Sequence, residues 1–229
     1  MTSRAALLFD LDGTLVDSDA KHLAAFQSVF APHGISVDRI AYDRHIHGAS
    51  NELIGKVFLS HLSLERQGAI LAEKERAYRS DLGDIEPIAG AVALLDFADR
   101  VGLKRAVVTN APRANAEIVL SALGLEARLP IVVSGSELAG AKPDPLPYLK
   151  GLELTEALAA HSVAFEDSPS GVRAAAAAGL AVVGLTTTRD EAALIEAGAT
   201  IAANDFTDPR IFALIEARIG ASRNEGARA

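Results

Sequence analysis

The chain of 229 residues contains no cysteine. Disulfides and thiolate metal sites are excluded, and a reducing cytoplasmic setting is expected. Basic residues are in the minority, 22 Lys and Arg against 30 Asp and Glu, for a net charge of −8. That balance argues against nucleic acid or an anionic membrane as partner. An anionic substrate must therefore be held by local features. Long apolar runs are missing too. Ala5 to Phe9 is too short for a signal-peptide core or a membrane span, and no apolar stretch long enough for a span follows. Internal repeats are absent, and the alanines at 174–178 read as a strong helix former packed on a sheet. The closing GASRNEGARA is small and polar and reads as a frayed tail. What is present is a chain 49% hydrophobic, enough for one large domain or a domain with an insert.

Five short apolar runs read as buried strands: AALLF, RAVVT, PIVVS, SVAF and LAVVGL. They do not alternate with polar residues, which suits a sheet covered on both faces. The helical patterns NAEIVLSAL, PLPYLKGL and SGVRAAAAAG separate the last four. Such alternation predicts an α/β fold with a doubly wound parallel sheet. About ninety residues lie between the first and second strands, far more than one crossover needs. Residues 16–86 are expected to form a helical insert, with 1–15 and 87–229 as the core. Leu23, Phe26 and Phe30 are expected to share one buried face, as are Leu53, Val57 and Phe58, and Leu71, Lys74 and Tyr78.

Chemistry in open parallel sheets sits beyond the carboxyl ends of the strands. Four polar clusters stand there: Asp10-Leu11-Asp12-Gly13-Thr14, Thr109-Asn110, Lys142 in GAKPDP, and Glu166-Asp167-Ser168. Singly, each has an ordinary reading as a turn, a helix N-cap or a solvated lysine. A calcium loop does not fit the first, because its glycine falls too early and no closing Glu follows. Two adjacent acids ending an apolar strand are less ordinary, and a cation would balance them. Three carboxylates from two strands make an all-oxygen site suited to a hard octahedral cation, Mg²⁺. A lysine and a hydroxyl add positive charge and a donor. Phosphoryl transfer needs this set, with either a carboxylate or a metal-bound water as nucleophile.

DLDGTLVDS, VVTN, GAKPDP and AFEDSPSG resemble, in order, the four motifs of the haloacid dehalogenase-like superfamily. The insert resembles the helical cap of one subgroup. HLAAFQ, KPDPLPYLKGLE and VVGLTT are similar to broad-range sugar-phosphate phosphatases, and more distantly to the β-phosphoglucomutase branch. The resemblance implies Asp10 as the nucleophile and Asp12 as the proton donor and acceptor. It implies Mg²⁺ on Asp10, the Asp12 carbonyl and Asp167, with Glu166 adding charge directly or through water. Thr109 and Lys142 would bind phosphoryl oxygens, and Ser168 would support the site. Gly13, Asn110, His22, Asn51 and Lys74 complete the expected substrate-facing set. The expected substrate is a small phosphorylated metabolite, and the expected state is a monomer, with a dimer as the alternative. Dehalogenases of the superfamily lack an acid at the position of Asp12. The mutase branch carries an arginine where Asn51 stands, so a phosphatase is favoured over a mutase. Phosphoglycolate phosphatase is a further alternative. His33, His45, His47, His61 and His161 show no metal-ligand spacing.

Overall fold

Ala6–Phe9 forms the first strand, β1, and is buried along its whole length. Its side chains alternate between two cores: Leu7 and Phe9 enter one, Ala6 and Leu8 the other. An apolar run without polar alternation therefore marks a strand with no solvent face. The computed structural model describes residues 4–226, with side chains described through Ile219. Five more strands follow: β2 (Lys104–Thr109), β3 (Val132–Ser134), β4 (Val163–Glu166), β5 (Ala181–Leu185) and β6 (Ile201–Ala203). All pair in parallel, in the order β3-β2-β1-β4-β5-β6. The direction of winding reverses between β1 and β4, and the crevice at such a reversal is where ligands bind in this class of sheet.

The sixth strand escapes the sequence reading. Ile201–Ala203 has three residues, two of them alanine, and lacks the β-branched run that marks the others. Its place at the sheet edge comes from pairing with β5.

The connection from β1 to β2 carries the insert. Four helices lie between Val16 and Pro87: α1 (Asp19–Phe30), α2 (Arg39–His45), α3 (Asn51–Phe58) and α4 (Leu64–Ser80). Asp38, Ser50 and Ser63 cap the last three, each accepting the backbone N–H of the third residue of its helix. The insert has its own core around Phe26, Phe30, Tyr42, Ile54, Leu59 and Ile70. Its two ends meet at Val16, which bridges both Asp12 and Pro87. Ile88 N–H donates to Leu15 C=O at 2.9 Å beside that bridge.

The insert corrects one expectation. Leu53 and Val57 were expected to share a buried face with Phe58, yet they are 49% and 44% exposed. Ile54, one residue away, is buried at 3%. A helix of eight residues has apolar side chains on more than one side, and packing against α4 selects Ile54 and Gly55. The α4 expectation fares differently: Leu71, Lys74 and Tyr78 are all buried.

The remaining helices cover the sheet: α5 (Ala91–Val101), α6 (Arg113–Ala122), α7 (Leu146–Thr155), α8 (Pro169–Ala177), α9 (Glu191–Ala197) and α10 (Pro209–Gly226). Leu94, Val119 and Ile215, from α5, α6 and α10, join one core. Tyr148, Val172 and Leu194, from α7, α8 and α9, join the other. α10 continues to Gly226, into the segment expected to fray. Residues 227–229 lie outside the described residues. Among the described residues no helix is long and apolar enough to cross a membrane.

The burial contrast on α3 generates a direct test. Ile54→Ala should lower stability by about 2–4 kcal/mol, through lost transfer energy and a cavity. Leu53→Ala should cost less than about 1 kcal/mol, as an exposed change. Urea unfolding of the two variants checks this, and equal losses would contradict the packing of α3.

Candidate active site

Asp10 follows β1 directly, and its N–H donates to Phe165 C=O at 2.9 Å, which fixes it beside β4. Glu166 and Asp167 stand at the end of β4. One carboxylate oxygen from each of Asp10, Glu166 and Asp167 lies within 4.8 Å of the others, and all three residues are buried. The sequence thus brings together three acids that it spaces 156 or 157 positions apart at most.

Lys142 balances them. Its Nζ donates to Asp10 Oδ1 at 2.6 Å, to Val108 C=O at 2.6 Å, and to Glu166 Oε1. Burial works against that ammonium, but Asp10 and Glu166 hold it above its ordinary pKa. One lysine cannot satisfy three acids. Burial pushes the Asp10 carboxyl well above its ordinary value; Lys142 opposes the rise, and the charges of Glu166 and Asp167 add to it. Burial also raises Glu166. Such a set holds a proton or a cation. An all-oxygen, electron-rich donor set fits a hard divalent cation.

The members differ in what they can offer. Glu166 has both oxygens engaged: Oε1 accepts from Lys142 and from Tyr148 OH at 2.7 Å, and Oε2 from Ser168 Oγ at 3.3 Å. Its carboxylate is thereby tied to Lys142 on one oxygen and to the α8 cap on the other. Asp167 Oδ2 accepts from Thr188 Oγ1 at 2.7 Å and lies 3.1 Å from His47 Nε2. Gly13 has φ +79°, and a Cβ there would fall 2.2 Å from Asp167 Oδ2. Only glycine lets the chain turn this close to the acid.

Asp12 lives in another environment. Its Oδ1 accepts from Ser18 Oγ at 2.6 Å and lies 3.2 Å from His22 Nε2 and 3.4 Å from Tyr78 OH. Burial alone would raise its pKa, but the charge and hydrogen bond of His22, the Ser18 hydroxyl and the charge of Lys74 bring it down to about 2. Two acids two residues apart therefore face different partners, one the lysine of the core and the other the histidine of α1.

The other expected residues fall around the same cavity, which lies between insert and core. The Thr109 hydroxyl accepts from Ala111 N–H at 3.0 Å. Asn110 Oδ1 accepts from Lys142 N–H at 3.0 Å, while its Nδ2 donates to Gly48 C=O of the insert at 3.2 Å. Ser168 caps α8 by accepting from Gly171 N–H at 3.1 Å. Asn51 was expected to meet substrate hydroxyls; here its Nδ2 donates to Glu75 Oε1 at 2.9 Å. His22 stacks flat on Tyr78 at 3.8 Å between ring centroids, and its Nδ1 lies 3.0 Å from Lys74 Nζ.

Sequence reasoning missed several lining residues. His47 shows no ligand spacing, yet the fold sets it on Asp167, and it is held above its ordinary pKa; burial opposes this, and Asp167 and Asp19 outweigh burial. Asp19, Glu75 and Asn115 also line the cavity. Glu75, which the sequence reading did not single out, is 5% exposed. Charged helix residues are mostly solvated, so nothing in the sequence marked it.

Comparison with known proteins agrees with this geometry. Residues 7–185 match the family of haloacid dehalogenase-like hydrolases, and the chain belongs to that family. It is 31% identical over 207 residues to the validoxylamine A 7'-phosphate phosphatase of Streptomyces hygroscopicus subsp. limoneus, covering 89% of this chain and 94% of that one. It is 30% identical over 176 residues to a phosphoglycolate phosphatase of Xanthomonas campestris pv. campestris, covering 76% and 80%. Among solved structures it is similar to CbbY of Rhodobacter sphaeroides in complex with phosphate, with 28% identity, a TM-score of 0.80 and coverage of 90% and 96%.

The crowding of acids predicts a stability trade. An acid whose folded pKa is raised is most at ease below its unfolded value and loses stability as pH rises toward the folded one. Asp10→Asn, nearly isosteric with protonated Asp10, should therefore raise the melting temperature of metal-free protein at pH 7 by about 3 °C or more, given ~2–4 °C per kcal/mol for a chain of this size. The gain should shrink as pH falls toward about 4. Scanning calorimetry in EDTA at both pH values checks it, and a lower melting point for Asp10→Asn at pH 7 would contradict the crowding.

Proposed function

We propose that the chain is a divalent-cation-dependent phosphatase acting on small sugar phosphates through an aspartyl-phosphate on Asp10, with Mg²⁺ as the cation. The observation that carries this reading is the pairing of Asp10, buried among acids and held by Lys142, with Asp12, two residues on and bonded to a different set. One acid can attack while the other handles protons.

Asp10 and Asp167 would hold the cation, with Glu166 keeping Lys142 in place. When bound, the cation would neutralise carboxylates and phosphoryl oxygens together. An Asp10 oxygen attacks phosphorus in line, forming an O–P bond as the bond to the alcohol oxygen breaks. Asp12 gives that oxygen its proton. Asp12 then takes a proton from water, which attacks the aspartyl-phosphate and releases phosphate with Asp10 restored. Thr109 and Lys142 bind phosphoryl oxygens throughout.

With His22 and Ser18 lowering its pKa, Asp12 favours the ionised form, which suits the water step. Loosening of its contact with His22 would raise its proton affinity for the first transfer. Because His22 belongs to the insert, residues 16–86 act as a cap, and its closure couples substrate binding to proton handling. Water is the favoured acceptor over a second sugar, since Asn51 carries no charge with which to grip a bisphosphate. A reducing cytoplasmic compartment and a monomeric state suit a cysteine-free chain with its site inside one subunit.

Phosphate release from a panel of hexose, pentose, triose and glycolate phosphates tests the reading. EDTA should abolish release and Mg²⁺ should restore it. Asp10→Asn should fall below about 1% of the unmodified rate, since loss of a nucleophile costs orders of magnitude. With β-glucose 1-phosphate and a trace of the 1,6-bisphosphate, free phosphate should exceed glucose 6-phosphate. Rapid isomerisation with little phosphate would favour a mutase.

A further inference from the structure

The wall of the cavity opposite the phosphoryl site is built by the insert, and its charges are tied to one another. Lys74 and Glu75 on α4 are 3% and 5% exposed and both line the cavity. Lys74 Nζ donates to Glu75 Oε2 at 3.1 Å and Oε1 at 3.3 Å, lies 3.0 Å from His22 Nδ1, and rests 4.3 Å from the centre of the Phe26 ring. Its donors are used within the insert.

Glu75 is held from two more sides. Asn51 Nδ2 of α3 donates to Oε1 at 2.9 Å, and Asn115 Nδ2 of α6 donates to Oε2 at 2.6 Å. Arg79 in turn donates to Asn115 Oδ1 at 2.7 Å, which sets that amide with its NH₂ toward Glu75. Burial raises the Glu75 carboxyl, but Lys74, Asn51, His22 and Asn115 bring it below its ordinary value. Burial in turn draws Lys74 down against the pull of Glu75.

Five acids and two lysines line the cavity: Asp10, Asp12, Asp19, Glu75 and Asp167 against Lys74 and Lys142. Lys142 is committed to Asp10 and Glu166. Asp19 is paired with Arg39 at 2.8 Å. Lys74 is thus the one lysine on the insert side, and Glu75 cancels it. A leaving group that carried a carboxylate or a second phosphate would approach Glu75 and meet no unpaired ammonium. A neutral polyol meets instead the amides of Asn51 and Asn115, each with a second N–H hydrogen.

We propose that Glu75 is a specificity-determining residue: by pairing with Lys74 it closes the cap wall to a second anion and selects phosphate esters of neutral polyols. The charge of Lys74, rather than the neutrality of Asn51, is what must be silenced for that selection. This inference rests on the phosphatase reading and names the substrate class of the same site.

A size-matched pair of esters tests it on the full chain with Mg²⁺. Glycerol 3-phosphate leaves as a neutral triol, and 3-phosphoglycerate leaves as a carboxylate. The unmodified protein should prefer glycerol 3-phosphate by at least about tenfold in kcat/KM, the scale of about 1.4 kcal/mol. Glu75→Gln should reduce that ratio about tenfold or more, mainly through a lower KM for 3-phosphoglycerate. Glu75→Asp should keep most of the preference. Adding Lys74→Met to Glu75→Gln should remove the new affinity for the anion, which a merely structural loss at Glu75 would not do. If Glu75→Gln does not fold, Lys74→Met alone serves: Glu75 then stands unpaired, and the preference for the neutral ester must grow. A ratio near one in the unmodified protein overturns the role of Glu75, as does a ratio that these variants leave unchanged. Absence of phosphate release from every ester, p-nitrophenyl phosphate included, overturns the phosphatase reading as well.

Discussion

Lys142 joins two buried carboxylates, from two strands, to the carbonyl end of a third. Around it the protein keeps Asp10, Glu166 and Asp167 out of water, at a desolvation cost that one ammonium only partly offsets. The rest of the site depends on that arrangement. Tyr148 and Ser168 satisfy Glu166 so that it can hold Lys142. Asn110 holds the Lys142 backbone. Thr188 orients Asp167 from the loop after β5. The residual negative charge makes the cluster fit for a cation.

The sheet explains why this can be tolerated. Asp10 sits where β1 ends at the reversal of strand order, flanked by β2 and β4. Backbone donors and acceptors are consumed by the ladders below it, as in the bond from Asp10 N–H to Phe165 C=O. Phe9 and Phe165 stack at 4.9 Å beneath the acids and hold the two strand ends in register. A buried apolar base supports a polar rim crowded with like charge, a division expected where function opposes stability.

The insert supplies what the core lacks. It brings His22 and Tyr78 to Asp12 and His47 to Asp167. It thereby gives two neighbouring acids of one loop unlike surroundings. It also carries an ion pair, Lys74 with Glu75, that faces the same cavity and bonds across to α6 of the core through Asn115. The two walls of the cavity are thus linked by hydrogen bonds: Lys74 reaches Asp12 through His22, and Glu75 reaches α6 through Asn115.

Local order alone determined a great deal. Unbroken apolar runs marked five strands because a strand buried on both faces needs them, and polar clusters at their ends marked Asp10, Asp12, Thr109, Glu166 and Asp167 because a parallel sheet gathers strand ends at one edge; Lys142 reaches that edge from the loop between β3 and α7. The length of the first crossover announced the insert. Tertiary structure decided the rest. The three-residue strand β6 exists through its partner β5, since three residues carry too little pattern of their own. Which face of α3 turns inward was set by packing against α4, where apolar side chains stood on both sides. His47, Glu75 and Asn115 belong to the cavity because long-range contacts bring them there: His47 stands 120 positions from its partner Asp167, and Glu75 stands 40 from its partner Asn115. A helical charge reads as solvated until another element covers it, and covering is a property of the assembled fold: Glu75 is an ordinary surface glutamate in the sequence and a buried ion-pair partner once α3 and α6 close over it.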